Sequence, residues 1–187
     1  IAAAQFGNKA LPFVSIDTSN KAKEQTDLIA RLLKNDVVYG LKFHPLSLHA
    51  PVGSLIGSDF MEIAREYNLP VILHTTHDQW SDPALACKVL EYYPSVNFCL
   101  AHAAVFRPEA FERIDDLPNA YLDTSPFLGN CQIHLNYPDA GQLDLPFDQP
   151  RIVMQYLFDR FPKKLLYGSD EPYTYNFGPS PHPYFYN

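Results

Sequence analysis

Six apolar runs in this chain each end on a polar side chain, and helical patterns separate them. The runs cover residues 13–17, 37–44, 69–75, 96–102, 120–125 and 164–170. Strands that are apolar throughout, rather than at every second position, are typical of a parallel sheet that is covered by helices. The sequence therefore predicts an α/β protein whose parallel strands are joined by crossover helices.

Helical spacing of apolar residues supports these crossovers. Helices are predicted over residues 21–34, 60–67, 83–90, 108–114 and 150–161. Ser58 and Asp82 are candidate N-caps, and Pro83 stands where the first turn tolerates a proline. Residues 126–149 are rich in Pro, Asn, Asp and Gly and are expected to form a long loop that acts as a lid or a substrate-binding wall.

The number of strands limits the architecture. A (β/α)₈ barrel has eight strands and about 250 residues, whereas this chain has 187 residues and six candidate strands. An open parallel sheet would leave two apolar edges unpaired. We therefore predict one domain over residues 1–187, an incomplete TIM-type barrel without its first two units and its last helix. A smaller doubly wound sheet is the alternative, although no glycine-rich phosphate loop follows the first strand.

Composition excludes several classes of partner. The net charge is −7 and no basic stripe is present, which argues against nucleic acid as a partner. No apolar run approaches the roughly 20 residues that cross a bilayer. Three cysteines without CxxC spacing indicate neither a disulfide framework nor a thiolate zinc site, so a reducing, cytoplasmic location is expected. The expected partner is a small-molecule substrate, and the sequence leaves homo-oligomer formation open.

Three of the predicted strands end on side chains that can bind a metal ion. His74 follows the apolar run from residue 70, His102 follows the run from residue 96, and Asp170 ends the last run. Chemistry in α/β barrels collects at the carboxyl ends of the strands. Imidazole and carboxylate ligands suit Zn²⁺, and a bound cation lowers the pKa of a water ligand to about 7. In that hypothesis Asp170 is the general base and His102 polarises a substrate carbonyl or stabilises the oxyanion.

Further residues are candidates for the wall of the same pocket. Lys42 and His44 alternate on one face of a predicted strand. A buried lysine must be paired, bind an anion or be chemically modified, whereas His44 before a proline serves a functional role or a packing role equally well. The predicted substrate-binding residues are Lys42, His44, His77, Trp80 and Tyr173. The predicted aromatic mouth, suited to a planar substrate, consists of Trp80, Phe106, Phe127, Tyr173 and Tyr175.

The remaining polar candidates receive less specific predictions. Asp123 is expected to be structural or substrate-facing rather than a metal ligand. Surface or rim roles are expected for His49, His134 and His182, because no motif surrounds them.

Five strings in this order resemble the amidohydrolase superfamily, in particular its amidohydrolase-related metal-dependent hydrolases. They are GLKFHP at 40–45, PVILHTT at 70–76, LAHAA at 100–104, YLDTS at 121–125 and LLYGSDEP at 165–172. The resemblance implies a TIM barrel whose strands three to eight lie in this chain. It also implies that His74 and Asp170 are metal ligands and that His102 is a second ligand or contacts the substrate and the attacking water. Lys42 stands where some relatives carry a bridging carboxylated lysine.

One element of the family pattern, a His-x-His pair from the first strand, is absent from the sequence. The resemblance therefore implies two further ligands from residues upstream of Ile1. The leading hypothesis is a hydrolase that acts on a small carboxylate, lactone or amide. The alternatives are a metal-dependent decarboxylase of an aromatic or unsaturated acid, and a non-catalytic barrel that has lost its metal.

Overall fold

Six parallel strands form one sheet in which each strand pairs with its neighbours in the sequence. The computed structural model describes residues 10–18, 22–35 and 37–170. The strands are β1 (Phe13–Ile16), β2 (Gly40–Phe43), β3 (Val71–Leu73), β4 (Phe98–Leu100), β5 (Ala120–Asp123) and β6 (Leu165–Leu166). Consecutive order is the topology of a (β/α) barrel, whereas a doubly wound sheet reverses direction at a switch point. The predicted fold class is confirmed, and the doubly wound alternative is wrong.

Helices connect successive strands, as a parallel sheet requires. They are α1 (Ala22–Leu33), α2 (Pro45–Leu48), α3 (Asp59–Glu66), α4 (Pro83–Tyr92), α5 (Pro108–Asp116), α6 (Phe127–Asn136) and α7 (Pro150–Arg160), with a 3₁₀ turn at Val52–Leu55. The N-cap prediction holds at Asp82, whose carboxylate accepts from the backbone N–H groups of Ala84 and Leu85 at 2.8 and 3.1 Å. The Ser58 hydroxyl instead donates to the Leu55 carbonyl at 2.8 Å.

The two faces of the sheet have different surroundings. One row across the sheet, formed by Leu41, Val71, Phe98 and Ala120, is fully buried and belongs to the same core cluster as the apolar residues of the helices. The neighbouring row on the opposite face is only partly buried and is formed by Lys42, Ile72, Cys99 and Tyr121. Since side chains alternate along a strand, the positions two residues beyond Lys42 and Ile72 bring His44 and His74 to this second face.

The segment from residue 126 to residue 149 is not the loop that its composition predicts. Its first part forms α6, and its Asn130, Ile133 and His134 lie on one face of this helix because they are spaced three and four residues apart. The sequence gives little sign of this helix, because Gly129 lies inside it and Pro126, which has no capping hydroxyl or carboxylate, precedes it.

The backbone directly after β4 is left-handed over five successive residues. The φ angles of the run from His102 to Phe106 are 63°, 50°, 47°, 41° and 54°, although none of these residues is glycine. Left-handed backbone costs about 1–2 kcal/mol for each residue that has a Cβ. The segment is buried throughout, so the surrounding core stabilises a strained turn that begins at His102.

None of the helices within residues 10–18, 22–35 and 37–170 has the length and the apolar character that a bilayer span requires.

The left-handed turn predicts opposite effects for the same substitution at two buried alanines. Ala104 (φ 47°) lies in the turn and Ala86 lies inside α4, and each is 0 % exposed. Ala104→Gly relieves strain and should change the free energy of unfolding by less than about 0.5 kcal/mol, or raise it. Ala86→Gly loses the same methyl group and helix propensity, and should lower the free energy of unfolding by about 1–2 kcal/mol. Urea unfolding of both variants measures the difference, and equal losses would contradict the strained turn.

Candidate functional site

One cavity of about 760 Å³ collects most of the residues that the sequence singled out. Six of the seven histidines line it, and the seventh, His182, lies outside the described residues. The cavity lies at the carboxyl ends of the strands, where barrels place their chemistry. Its polar lining residues include Lys42, His44, His49, His74, His77, His102, Asn130, His134 and Asp170.

Two of these imidazoles are joined in a hydrogen-bonded chain that starts at a backbone carbonyl. His102 Nδ1 lies 2.6 Å from the Ser125 carbonyl oxygen, and His102 Nε2 lies 2.9 Å from His74 Nδ1. A carbonyl oxygen only accepts, so the proton of His102 is on Nδ1 and its Nε2 is the acceptor. His74 must then donate from Nδ1, and its lone pair is on Nε2. That atom is buried and has no hydrogen-bond partner among the described residues.

Burial keeps the ring of His74 uncharged. It lowers the pKa of His74 to about 2, and the nearby His102, His44 and Lys42 lower it further in the same direction. The ring of His44 stacks on that of His74 with centroids 3.7 Å apart, and burial followed by the charge of Lys42 lowers the pKa of His44. Neutral imidazole is the form that binds metal ions, so His74 presents an available lone pair at neutral pH.

The carboxylate of Asp123 fixes the backbone around this chain. Its Oδ1 accepts from the N–H of His102 at 3.0 Å and from the N–H and hydroxyl of Ser125 at 2.9 and 2.6 Å. The thiol of Cys99 lies 3.6 Å from the other carboxylate oxygen. These contacts give Asp123 the structural role that was one of its two expected roles.

Lys42 and Asp170 are the charged groups of the cavity that the sequence selected. Burial lowers the pKa of the Lys42 ammonium, and the charges of Asp123 and Asp170 act in the opposite direction. Asp170 is exposed, and its φ of 60° sets the backbone in the left-handed region. His44, which follows β2 directly, accepts from the N–H of Ser47 at 3.3 Å and thereby caps α2.

The assignment of His74, His102 and Asp170 as metal ligands stays a prediction, although all three line this cavity. No group of three or more His, Cys, Asp or Glu side chains within residues 10–18, 22–35 and 37–170 is arranged to hold a metal ion. The reason is that His102 and His74 bond directly to each other at 2.9 Å, whereas two nitrogen ligands of a tetrahedral zinc lie about 3.3 Å apart. Asp170 lines the same cavity without completing the set.

His134 departs most from the position that the sequence predicts. It was expected at a surface or rim, yet it is 2 % exposed and packs between Phe106, Phe147 and His77. The helix α6, on which His134 lies, is not predicted from the sequence. The spacing from Asn130 to His134 therefore did not indicate that the two residues share a helix face.

Other predicted pocket residues lie elsewhere. Trp80 is not among the residues that line the cavity, and its ring lies edge-on to His49 at 6.4 Å. Phe106 is fully buried and packs against Phe111 and Phe147, so it belongs to the core and not to an aromatic mouth. Tyr173 and Tyr175 lie outside the described residues.

Comparison with known proteins gives one family and related solved structures. A family model described as amidohydrolase matches residues 3–183. A zinc-bound amidohydrolase from Burkholderia multivorans is 14 % identical with a TM-score of 0.63, and the match covers 92 % of this chain and 62 % of that protein. The chain thus spans less than two thirds of that protein's length. An amidohydrolase 2 from Bifidobacterium longum subsp. infantis is 20 % identical with a TM-score of 0.47, covering 93 % of this chain and 71 % of that protein. No curated protein matches the chain.

Burial of His134 predicts a pH-dependent stability. Burial lowers its pKa to about 4, compared with about 6.5 in the unfolded chain. Between these values the unfolded state binds a proton that the folded state does not, so the free energy of unfolding falls as the pH falls from 6.5 towards 4. His134→Leu should reduce that slope by up to one proton, about 1.4 kcal/mol per pH unit.

Urea unfolding at pH 7, 6 and 5 measures this slope. Phe147→Leu is the matched control, because it disturbs the packing of the same ring without removing a titrating group. An unchanged slope in His134→Leu would show that the ring is not held neutral by burial.

Proposed function

The chain belongs to the amidohydrolase family, and we propose that it acts as a metal-dependent hydrolase of a small carboxylate, lactone or amide. The observation that carries this proposal is the neutral, buried His74, whose Nε2 has no hydrogen-bond partner among the described residues and whose ring lines the cavity. A buried polar atom without a partner costs about 1–3 kcal/mol. A histidine with a purely structural role would be expected to pair both of its ring nitrogens.

The described residues fit one part of a mononuclear metal site. His74 and Asp170 would hold a divalent cation, most simply zinc, which the Burkholderia amidohydrolase binds. His102 would be a second ligand or would contact the substrate. Any further ligands would come from outside the described residues, because those residues contain no three-ligand group. When bound, such a cation supplies hydroxide at neutral pH by lowering the pKa of its water.

The other side chains of the cavity would bind the substrate and accept or donate protons. The Ser125 carbonyl fixes the proton of His102 on Nδ1, so His102 Nε2 is the atom that accepts a hydrogen bond or a proton. Asp170 is exposed and lines the cavity, and its carboxylate would act as general base. Lys42 lines the same cavity with a positive charge that suits a carboxylate of the substrate.

The test combines metal content with turnover in the full-length protein. Metal analysis of the purified protein should find a divalent metal in stoichiometric amount, and His74→Ala should lose it. Asp170→Asn loses the charge of a ligand and the general base, so it should bind the metal more weakly and, with the metal supplied in excess, lower kcat on a panel of lactones, amides and esters by about 10²–10⁴-fold. Thr26→Ala replaces a buried polar side chain in α1 and controls for general destabilisation. It should leave the metal content and kcat unchanged.

Two results would contradict the proposal. A metal-free protein with equal turnover in His74→Ala and Asp170→Asn would exclude metal-dependent hydrolysis at this site. Release of CO₂ from an aromatic or unsaturated acid, without hydrolysis of the panel, would replace the hydrolase by a decarboxylase.

A further inference from the structure

A second pair of imidazoles lines the cavity apart from the contact between His74 and His102. The rings of His77 and His134 meet edge to face, with centroids 5.5 Å apart and planes at 89°. His77 belongs to the loop after β3 and His134 belongs to α6, so two separate elements bring them together. Both line the cavity.

The nitrogens of this pair have no protein partners in the described part of the chain. Nδ1 and Nε2 of His77 and Nδ1 of His134 are buried and form no hydrogen bond with a described residue. Each unpaired buried polar group costs about 1–3 kcal/mol, and an apolar side chain could fill the same space without that cost. A ligand that pairs with these atoms would offset that cost.

The surroundings limit the chemistry of such a ligand. The ring of Phe147 lies against His134 at 4.6 Å and that of Phe106 meets it edge-on at 5.2 Å, while Ile133 lines the cavity beside them. Phe106 and Phe147 belong to the core behind His134, whereas Ile133 and Val105 give the cavity an apolar wall and Thr76, Asp78 and Asn130 add polar groups to its lining. A planar or compact apolar body fits against this apolar wall.

Charge in this region is matched within the protein. The guanidinium of Arg107 lies 3.6 Å from Asp82 and donates to the carbonyls of Ala140 and Gly141. Burial lowers the pKa of both imidazoles, so at neutral pH each offers one donor and one acceptor and no charge. From these two imidazoles a carboxylate would gain neutral donors only in exchange for its hydration.

We propose that His77 and His134 form a second polar subsite that binds a neutral hydroxyl or amide group carried on an apolar body. That this group is part of the substrate rests on the proposed function, whereas the binding itself does not. The subsite would then select substrates that carry an uncharged hydrogen-bonding group in addition to the group that reacts.

Phenol is a suitable probe, since it combines a neutral hydroxyl with a flat apolar ring, and benzoate is the anionic comparison. Each is titrated into the full-length, metal-free protein while the ring nitrogens of the histidines are followed by ¹⁵N NMR. Phenol should shift the His77 and His134 signals, and benzoate should not. Phenol that leaves both signals unchanged, or benzoate that shifts them at equal or lower concentration, would overturn the proposal.

Matched variants separate hydrogen bonding from packing. His134→Leu should weaken phenol binding by about 3–10-fold, the worth of one hydrogen bond. His134→Asn places an amide near the Nδ1 position and should retain most of the affinity. His77→Leu removes the imidazole that lies on the loop after β3. It provides a second test if His134→Leu, the variant in α6, does not fold. Unchanged phenol affinity in His77→Leu or in a folded His134→Leu variant would contradict the subsite.

The outcomes also separate this proposal from the proposed function. If phenol binds at His77 and His134 but the purified protein contains no metal and hydrolyses none of the panel, the subsite is supported and the proposed hydrolase function is contradicted. If hydrolysis depends on His74 but phenol does not bind at His77 and His134, the proposed hydrolase function is supported and the subsite is contradicted.

Discussion

The carbonyl of Ser125 sets the direction of every hydrogen bond in the chain of imidazoles. Because this oxygen only accepts, it fixes the proton of His102 on Nδ1, and that choice fixes His74 as a donor from its own Nδ1. The lone pair at the end of the chain, on His74 Nε2, is the consequence. A single backbone atom thus determines which nitrogen the cavity has available for a metal ion or a substrate.

The same carbonyl links the two imidazole pairs of the cavity. The side-chain amide of Asn130 donates to it at 3.1 Å, and Asn130 lies on α6 one turn before His134. Asp123 holds the N–H groups of both His102 and Ser125. The left-handed turn that starts at His102 is therefore held at its start by a carboxylate and covered by the core, which explains how a strained backbone persists there.

Part of this arrangement could be predicted from the sequence, and the missing part has physical causes. Continuously apolar strands that end in His74 and His102 identified the sheet, its parallel direction and the rim where chemistry collects. The left-handed turn could not be foreseen, because Ala103 and Ala104 carry none of the glycine signal that normally marks positive φ. The burial of His134 depends on its contacts with Phe106 and Phe147, which are distant in the sequence and come together only in the folded chain.

The protonation pattern of His74 and His102 is the most direct test of the hydrogen-bonded chain that starts at Ser125. Long-range ¹H–¹⁵N NMR of the full-length, metal-free protein at pH 7 reports the tautomer and the charge of each ring. We expect each ring to carry a proton on Nδ1 and His74 to be neutral. A proton on Nε2 of either ring, or an imidazolium at His74, would contradict the hydrogen-bonded chain from Ser125 and the available lone pair on which the proposed site depends.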